Sequence, residues 1–187
     1  MTIQLHASRL NMQAFAQQGE ALVETTPLHG LHRLMQEAHK THKPHEVQPE
    51  SVVKWRALGE LRERTGAEAD VWLRLEANTN IALTCQRCMQ AVLMPLEVDQ
   101  WYRFVATEDI AMAQDDASEE DLLVMEPQFD LLALLEDELL MALPLVPMHE
   151  QCPVSALQDS PSITAKDEEE PAEKPNPFAV LAQFKKK

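Results

Sequence analysis

The chain has 187 residues, 45% of them hydrophobic and 25% charged, and carries a formal net charge of −15. That length suits one ordinary core with tails and is short for two domains. Four glycines in all leave no G-x-x-x-x-G-K-[ST] or G-x-G-x-x-G loop to cradle a nucleotide, so the expectation is a protein that is not an enzyme.

Residues 1–8 lack a basic start with an apolar run behind it, and no apolar stretch reaches the roughly 18 residues a membrane span needs. A cytoplasmic protein with no membrane or DNA partner is expected. Leu10, Ala14 and Phe15 predict a short helix over 8–18 that Gly19 ends, and Ala21 to Thr25 can extend. Leu28, Leu31, Leu34, Met35 and Ala38 recur at helical spacing and predict a second helix over 28–39, against the grain of Gly30. His29 and His32 lie three apart on it, with His39, His42 and His45 beyond. They form a further candidate metal set, for which exposed polar positions are the plainer account.

After Pro49 the period changes to two. Val53, Trp55 and Ala57 alternate with Lys54 and Arg56; Val71, Leu73 and Leu75 alternate with Trp72, Arg74 and Glu76; Ile81, Leu83 and Cys85 alternate with Ala82 and Thr84. These are predicted antiparallel strands, with turns at Arg64-Thr65-Gly66 and at Ala77-Asn78-Thr79-Asn80. Ala91 to Val105 continues the sheet past an expected irregularity at Pro95.

All three cysteines fall in two pairs of equal spacing, Cys85-Gln86-Arg87-Cys88 and His149-Glu150-Gln151-Cys152. A two-residue gap lets neighbouring side chains grip one ion, and C-x-x-C with H-x-x-C supplies the four S and N ligands of a tetrahedral zinc site. Four protein ligands leave no open position, so such a site is a structural clasp. The other reading is a redox dithiol or ordinary thiols, with the distant His149 and Cys152 unrelated.

Between Arg103 and Lys166 the chain has no Lys or Arg, and nearly all its net charge sits there. Residues 107–126 are predicted as an inserted acidic loop, whose Asp115, Asp116, Glu119, Glu120 and Asp121 are candidate contacts for a basic protein. Its alternative is a solubilising surface; a third reading, a metal-dependent RNA-processing enzyme holding Mg²⁺ on the carboxylates of 108–126, is disfavoured because a loop offers no rigid scaffold. Asp130 then caps a helix in which Leu131, Leu134, Leu135, Glu138, Leu139 and Ala142 trace one face while Glu136 and Asp137 face water; Pro144 stops it.

The fold class expected is α+β: one domain over 1–154, an antiparallel sheet of about five to six strands, short N-terminal helices and one amphipathic helix in the C-terminal half. Residues 155–174 read as a flexible acidic linker. Residues 175–187 read as a docking tail, in which Phe178, Leu181 and Phe184 would bury one face against a partner.

Leu83-Thr84-Cys85-Gln86-Arg87-Cys88, the run from Asp130 to His149, and Lys174-Pro175-Asn176-Pro177-Phe178-Ala179-Val180-Leu181 together resemble the bacterial YceD family. The resemblance implies a non-enzymatic role in making or stabilising 23S ribosomal RNA during large-subunit assembly. Related sequences carry further cysteines after the proline-rich stretch, in the manner of a zinc ribbon. His149 and Cys152 stand where the first two of those would be, and the later C-x-x-C is missing. The acidic balance, without a basic face, points to a ribosomal protein or assembly factor as the partner, with the RNA reached indirectly or, in the competing reading, bound directly.

Overall fold

The first helix, α1 (Met12–Gln18), starts where the Asn11 side chain accepts a hydrogen bond from the Ala14 N–H, and ends at Gly19, whose φ of 62° favours a residue without a Cβ. It is one turn shorter at its start than expected, because Leu10 pairs instead with Phe129 through two 2.8 Å backbone hydrogen bonds. The computed structural model describes residues 6–40, 52–64, 66 and 68–153, all within one compact unit, Met1–Val154. The linker and tail expected over 155–187, with Phe178, Leu181 and Phe184, lie outside the described residues, as do His42 and His45.

Strand β1 (Ala21–Pro27) follows, then a single 3-10 turn (Leu28–Gly30) and α2 (His32–Glu37). The helix expected over 28–39 is thus broken at Gly30 and Leu31, where the chain leaves helical geometry. Strands β2 (Val52–Arg62), β3 (Asp70–Thr84) and β4 (Ala91–Val105) form an antiparallel meander in which each strand pairs with the one before it. The turn predicted at Ala77–Asn80 does not exist. β3 runs straight through it, because Ala77, Thr79 and Ile81 keep the inward period and the Thr79 hydroxyl donates to the Val52 carbonyl at 3.0 Å. Nor does Pro95 interrupt β4: it sits opposite Asn80, on a half of the strand that the last strand does not reach, where a missing N–H is tolerated.

Residues 107–126 are not a loop. They carry α3 (Glu108–Gln114), capped by the Thr107 side chain, then a 3-10 turn (Asp115–Ala117) and β5 (Asp121–Val124), which pairs with Tyr102–Val105 of β4 in parallel. The sheet is therefore mixed, in the order β1-β2-β3-β4-β5. A parallel partner needs a crossover, and this one is fastened by Arg103, 9% exposed, which donates to Glu120 at 2.6 Å, to the Gln114 side chain at 3.0 Å and to Ser118 Oγ at 2.9 Å.

One face of the sheet buries Trp55, Leu73, Leu75, Ile81 and Leu96 against Phe15 of α1, Leu34 of α2 and Leu131, Leu135 and Leu139 of the last helix, α4 (Leu131–Met141). α1 seats directly on β2 at Gly59, where a Cβ would come within 2.9 Å of the Ala16 Cα. As expected, Asp130 caps α4 by accepting from the Ala133 N–H. Glu136, expected to face water, instead accepts from the Arg33 and Leu34 N–H groups at the start of α2, at 2.6 and 3.1 Å, and from the Arg33 guanidinium at 3.0 Å. It caps a helix whose own Ncap position, Leu31, has no side-chain oxygen. The other face of the sheet is laced with ion pairs: Arg56 with Glu76, Arg62 with Glu60, and Arg74 with Glu76 and Asp99.

Candidate metal centre

The turn joining β3 to β4 is closed by the Cys85 N–H on the Gln90 carbonyl and the Met89 N–H on the Cys85 carbonyl, both at 2.9 Å, with Met89 in the left-handed region at φ 60°. This places Cys85, buried, and Cys88, half-buried, on one side of the hairpin tip. The segment after α4 crosses to the same tip, where the Gln86 N–H donates to the Pro147 carbonyl at 2.9 Å. His149 and Cys152 arrive there with it.

The four ligand atoms of Cys85, Cys88, His149 and Cys152 lie within 4.8 Å of one another. Cys85 Sγ is 3.8 Å from Cys152 Sγ, and Cys88 Sγ is 3.5 Å from His149 Nδ1. A tetrahedral ion with bonds of about 2.3 Å to sulfur and about 2.0 Å to nitrogen requires about 3.8 Å between two sulfurs and about 3.5 Å between sulfur and nitrogen. Both measured edges match, so this group can hold one metal ion. A disulfide, by contrast, needs its sulfurs about 2.05 Å apart, and all three cysteines are free.

The surroundings suit the same chemistry. His149 Nε2 lies 3.0 Å from the Ala91 carbonyl; a proton on that nitrogen makes the bond and leaves Nδ1 as the lone-pair donor facing Cys88. Burial pushes the Cys85 thiol up, but the N–H groups of His149, Arg87 and Cys88 outweigh it and bring it down to about 5. The Gln90 N–H pulls Cys88 down, while burial and the Cys152 and Cys85 sulfurs push it above the ordinary thiol range. Arg87, inside the C-x-x-C, donates to Cys152 Sγ at 3.0 Å and to the His149 and Glu150 carbonyls at 2.7 and 3.3 Å. Three thiolates and a divalent ion sum to one negative charge, and the guanidinium stands where it offsets that charge. The matched spacings made the four ligands legible in sequence; Arg87 carried no signal beyond its place between two of them.

The other predicted residues are dispersed. Asp115 and Asp116 are exposed on the 3-10 turn, Glu119 is exposed before β5, Asp121 is exposed on β5, and Glu120 is turned inward onto Arg103. His29 and His32 are exposed, and His39 Nδ1 lies 2.9 Å from Thr84 Oγ1. Among the described residues neither the histidines nor the carboxylates of 108–126 gather into a ligand group.

A family model described as "Large ribosomal RNA subunit accumulation protein YceD" matches residues 73–185, which include all four ligands. A protein of that name from Haemophilus influenzae is 40% identical over 126 residues, 63% of this chain and 67% of that protein. No solved structure matches the chain.

Proposed function

This chain belongs to the YceD family, and on that premise we propose that it supports 23S ribosomal RNA and large-subunit assembly without catalysis, by holding a basic protein, a ribosomal protein or an assembly factor, until that partner reaches its RNA. The observation that carries the reading is the fastened acidic crossover. Asp115, Asp116, Glu119 and Asp121 stand exposed on a scaffold that Arg103 ties to β4, so their charge is displayed in a fixed arrangement. Direct RNA binding is less well supported. Trp72 and Trp101 do interleave with arginines on the outer sheet face, but Arg56, Arg62 and Arg74 are each engaged by carboxylates and leave little free charge for phosphates.

The Cys85, Cys88, His149 and Cys152 centre is assigned zinc in this reading, as a structural link between the hairpin tip and the segment after α4. Among the described residues no helix is long and apolar enough to cross a membrane.

Two experiments test the reading. Affinity capture of the tagged full chain from nuclease-treated extract should retain a basic large-subunit protein, and the amide variant D115N/D116N/E119Q/D121N should lose it; retention of RNA alone would favour direct binding. Purified protein should carry about one equivalent of zinc. Cys88→Ser should lower both metal content and melting temperature, and metal-free protein with an unchanged melt would remove zinc from the account.

A further inference from the structure

Beside the acidic crossover, on the face of the sheet away from the core, an open cleft of about 510 Å³ is lined by Arg62, Trp72, Trp101, Glu119, Glu120 and Asp121. The two indoles meet edge to face, their centroids 6.3 Å apart at 72°. The Arg62 guanidinium lies over both, 4.0 Å from the Trp72 ring and 4.2 Å from the Trp101 ring. Arg62 comes from the end of β2, has a side chain 42% exposed and is otherwise bonded to Glu60, its neighbour two residues back. The rim supplies more negative charge than the cleft's own arginine uses. Glu120 is neutralised by Arg103, while Glu119 and Asp121 are exposed and enter no ion pair among the described residues. A donor also stands idle: the Trp72 Nε1 is buried and has no hydrogen-bond partner.

These features describe one ligand chemistry. Two aromatic faces at right angles take a planar cation, and a guanidinium stacks on them better than an ammonium does. Flanking carboxylates accept its N–H groups in a fork. We infer that this cleft binds an arginine side chain from a basic protein segment, which takes the place of Arg62 between Trp72 and Trp101, with Arg62 acting as the built-in occupant of the free protein. The inference rests on the basic-partner reading above and says where and through which residue type that partner is held. A nucleobase would find the same aromatic faces, but Glu119 and Asp121 would repel the phosphates attached to it.

The test uses the full-length, metal-loaded chain and three probes: a short fluorescent Arg-Gly repeat peptide, the same peptide with lysine for arginine, and a single-stranded oligouridylate. Binding is read by peptide anisotropy and by indole fluorescence. The arginine peptide should bind more tightly than the lysine peptide and change the indole emission. Trp101→Ala should weaken it about tenfold, and Arg62→Ala, which empties the cage without touching the core, should tighten it by a similar factor. Equal affinity for both peptides, or an Arg62→Ala variant that binds no better than the parent, overturns the inference, as does indole quenching by the oligouridylate alone. If D115N/D116N weakens peptide binding while Trp101→Ala and Arg62→Ala do not alter it, the cage fails and the basic-partner reading stands. If the parent binds neither peptide, the cage fails, and the capture experiment above decides the basic-partner reading. Melting curves verify that each variant folds, and Arg62→Ala keeps the question decidable should Trp101→Ala not.

Discussion

Arg87 shows how one side chain can prepare a site made by two distant segments. Its guanidinium holds Cys152 Sγ and the carbonyls of His149 and Glu150 at once, so the second half-site is drawn onto the first by contacts that do not depend on the ion. Removing such support around a metal ligand typically costs about 10- to 100-fold in affinity. With zinc as proposed above, Arg87→Met should therefore release the metal to a chelator at a concentration about tenfold lower than the parent requires. Arg87→Lys should recover only part of the loss, since an ammonium cannot span three acceptors as a planar fork does. Equal chelator midpoints for all three proteins would show that Arg87 contributes charge to the surface and nothing to the centre.

Between elements, the joint of α2 with α4 depends on Glu136. Burial raises its carboxyl, but the Leu34 N–H, the Arg33 guanidinium and the Arg33 N–H outweigh that and hold it below the ordinary glutamate range. A carboxyl whose folded pKa lies below its unfolded value of about 4.3 stabilises the fold above that pH, and the contribution is lost as pH falls through the folded value. Glu136→Gln should cost about 1–2 kcal/mol at neutral pH, with a difference from the parent that shrinks as unfolding is measured below about pH 4. A constant difference across that range would mean that the charge is irrelevant and only the cap's shape matters. The same residue marks the limit of reading from sequence. Inward periodicity located β2, the two ends of β3 as separate strands and most of α4, and Asp130 and Gly19 were legible as caps because those jobs are local. Glu136 serves an element far along the chain and Arg103 the crossover that follows its own strand, so no local pattern distinguishes them from solvated charges. β5 was hidden for the same reason: its four residues pair with β4 only through a crossover that acidic composition disguised as a loop. The turn expected at Ala77–Asn80 failed because Ala77 and Asn78 pair with both β2 and β4 and Asn80 pairs with β4, which outweighs the turn preference of the two asparagines.

For the molecule as a whole, the division proposed is a folded domain over 1–154, a linker over 155–174 and a docking tail over 175–187. A chain ending at Ser160 should then melt as the full chain does, because it retains every buried core residue among the described residues and the four residues of the candidate metal centre. It should nevertheless fail to restore large-subunit RNA in cells lacking the protein, and Phe178→Ala with Leu181→Ala should behave likewise, each buried side chain being worth roughly 1.5–3 kcal/mol. Full rescue by the shortened chain would locate the activity in the sheet and crossover. A lowered melt would show that the segment belongs to the core.

The order β1-β2-β3-β4, in which every strand lies beside its predecessor, also has a kinetic meaning. The β2–β3 and β3–β4 pairings close short loops, whereas the Leu10–Phe129 bridge joins residues far apart in the described chain. The meander can be assembled in the folding transition state before that bridge exists. Leu10, 1% exposed, should then be a position of low φ-value: Leu10→Ala should cost about 2–5 kcal/mol, almost all of it as faster unfolding, with the refolding arm of the chevron left in place. A matching fall in the refolding rate would mean that the two ends meet early and that the meander forms around them.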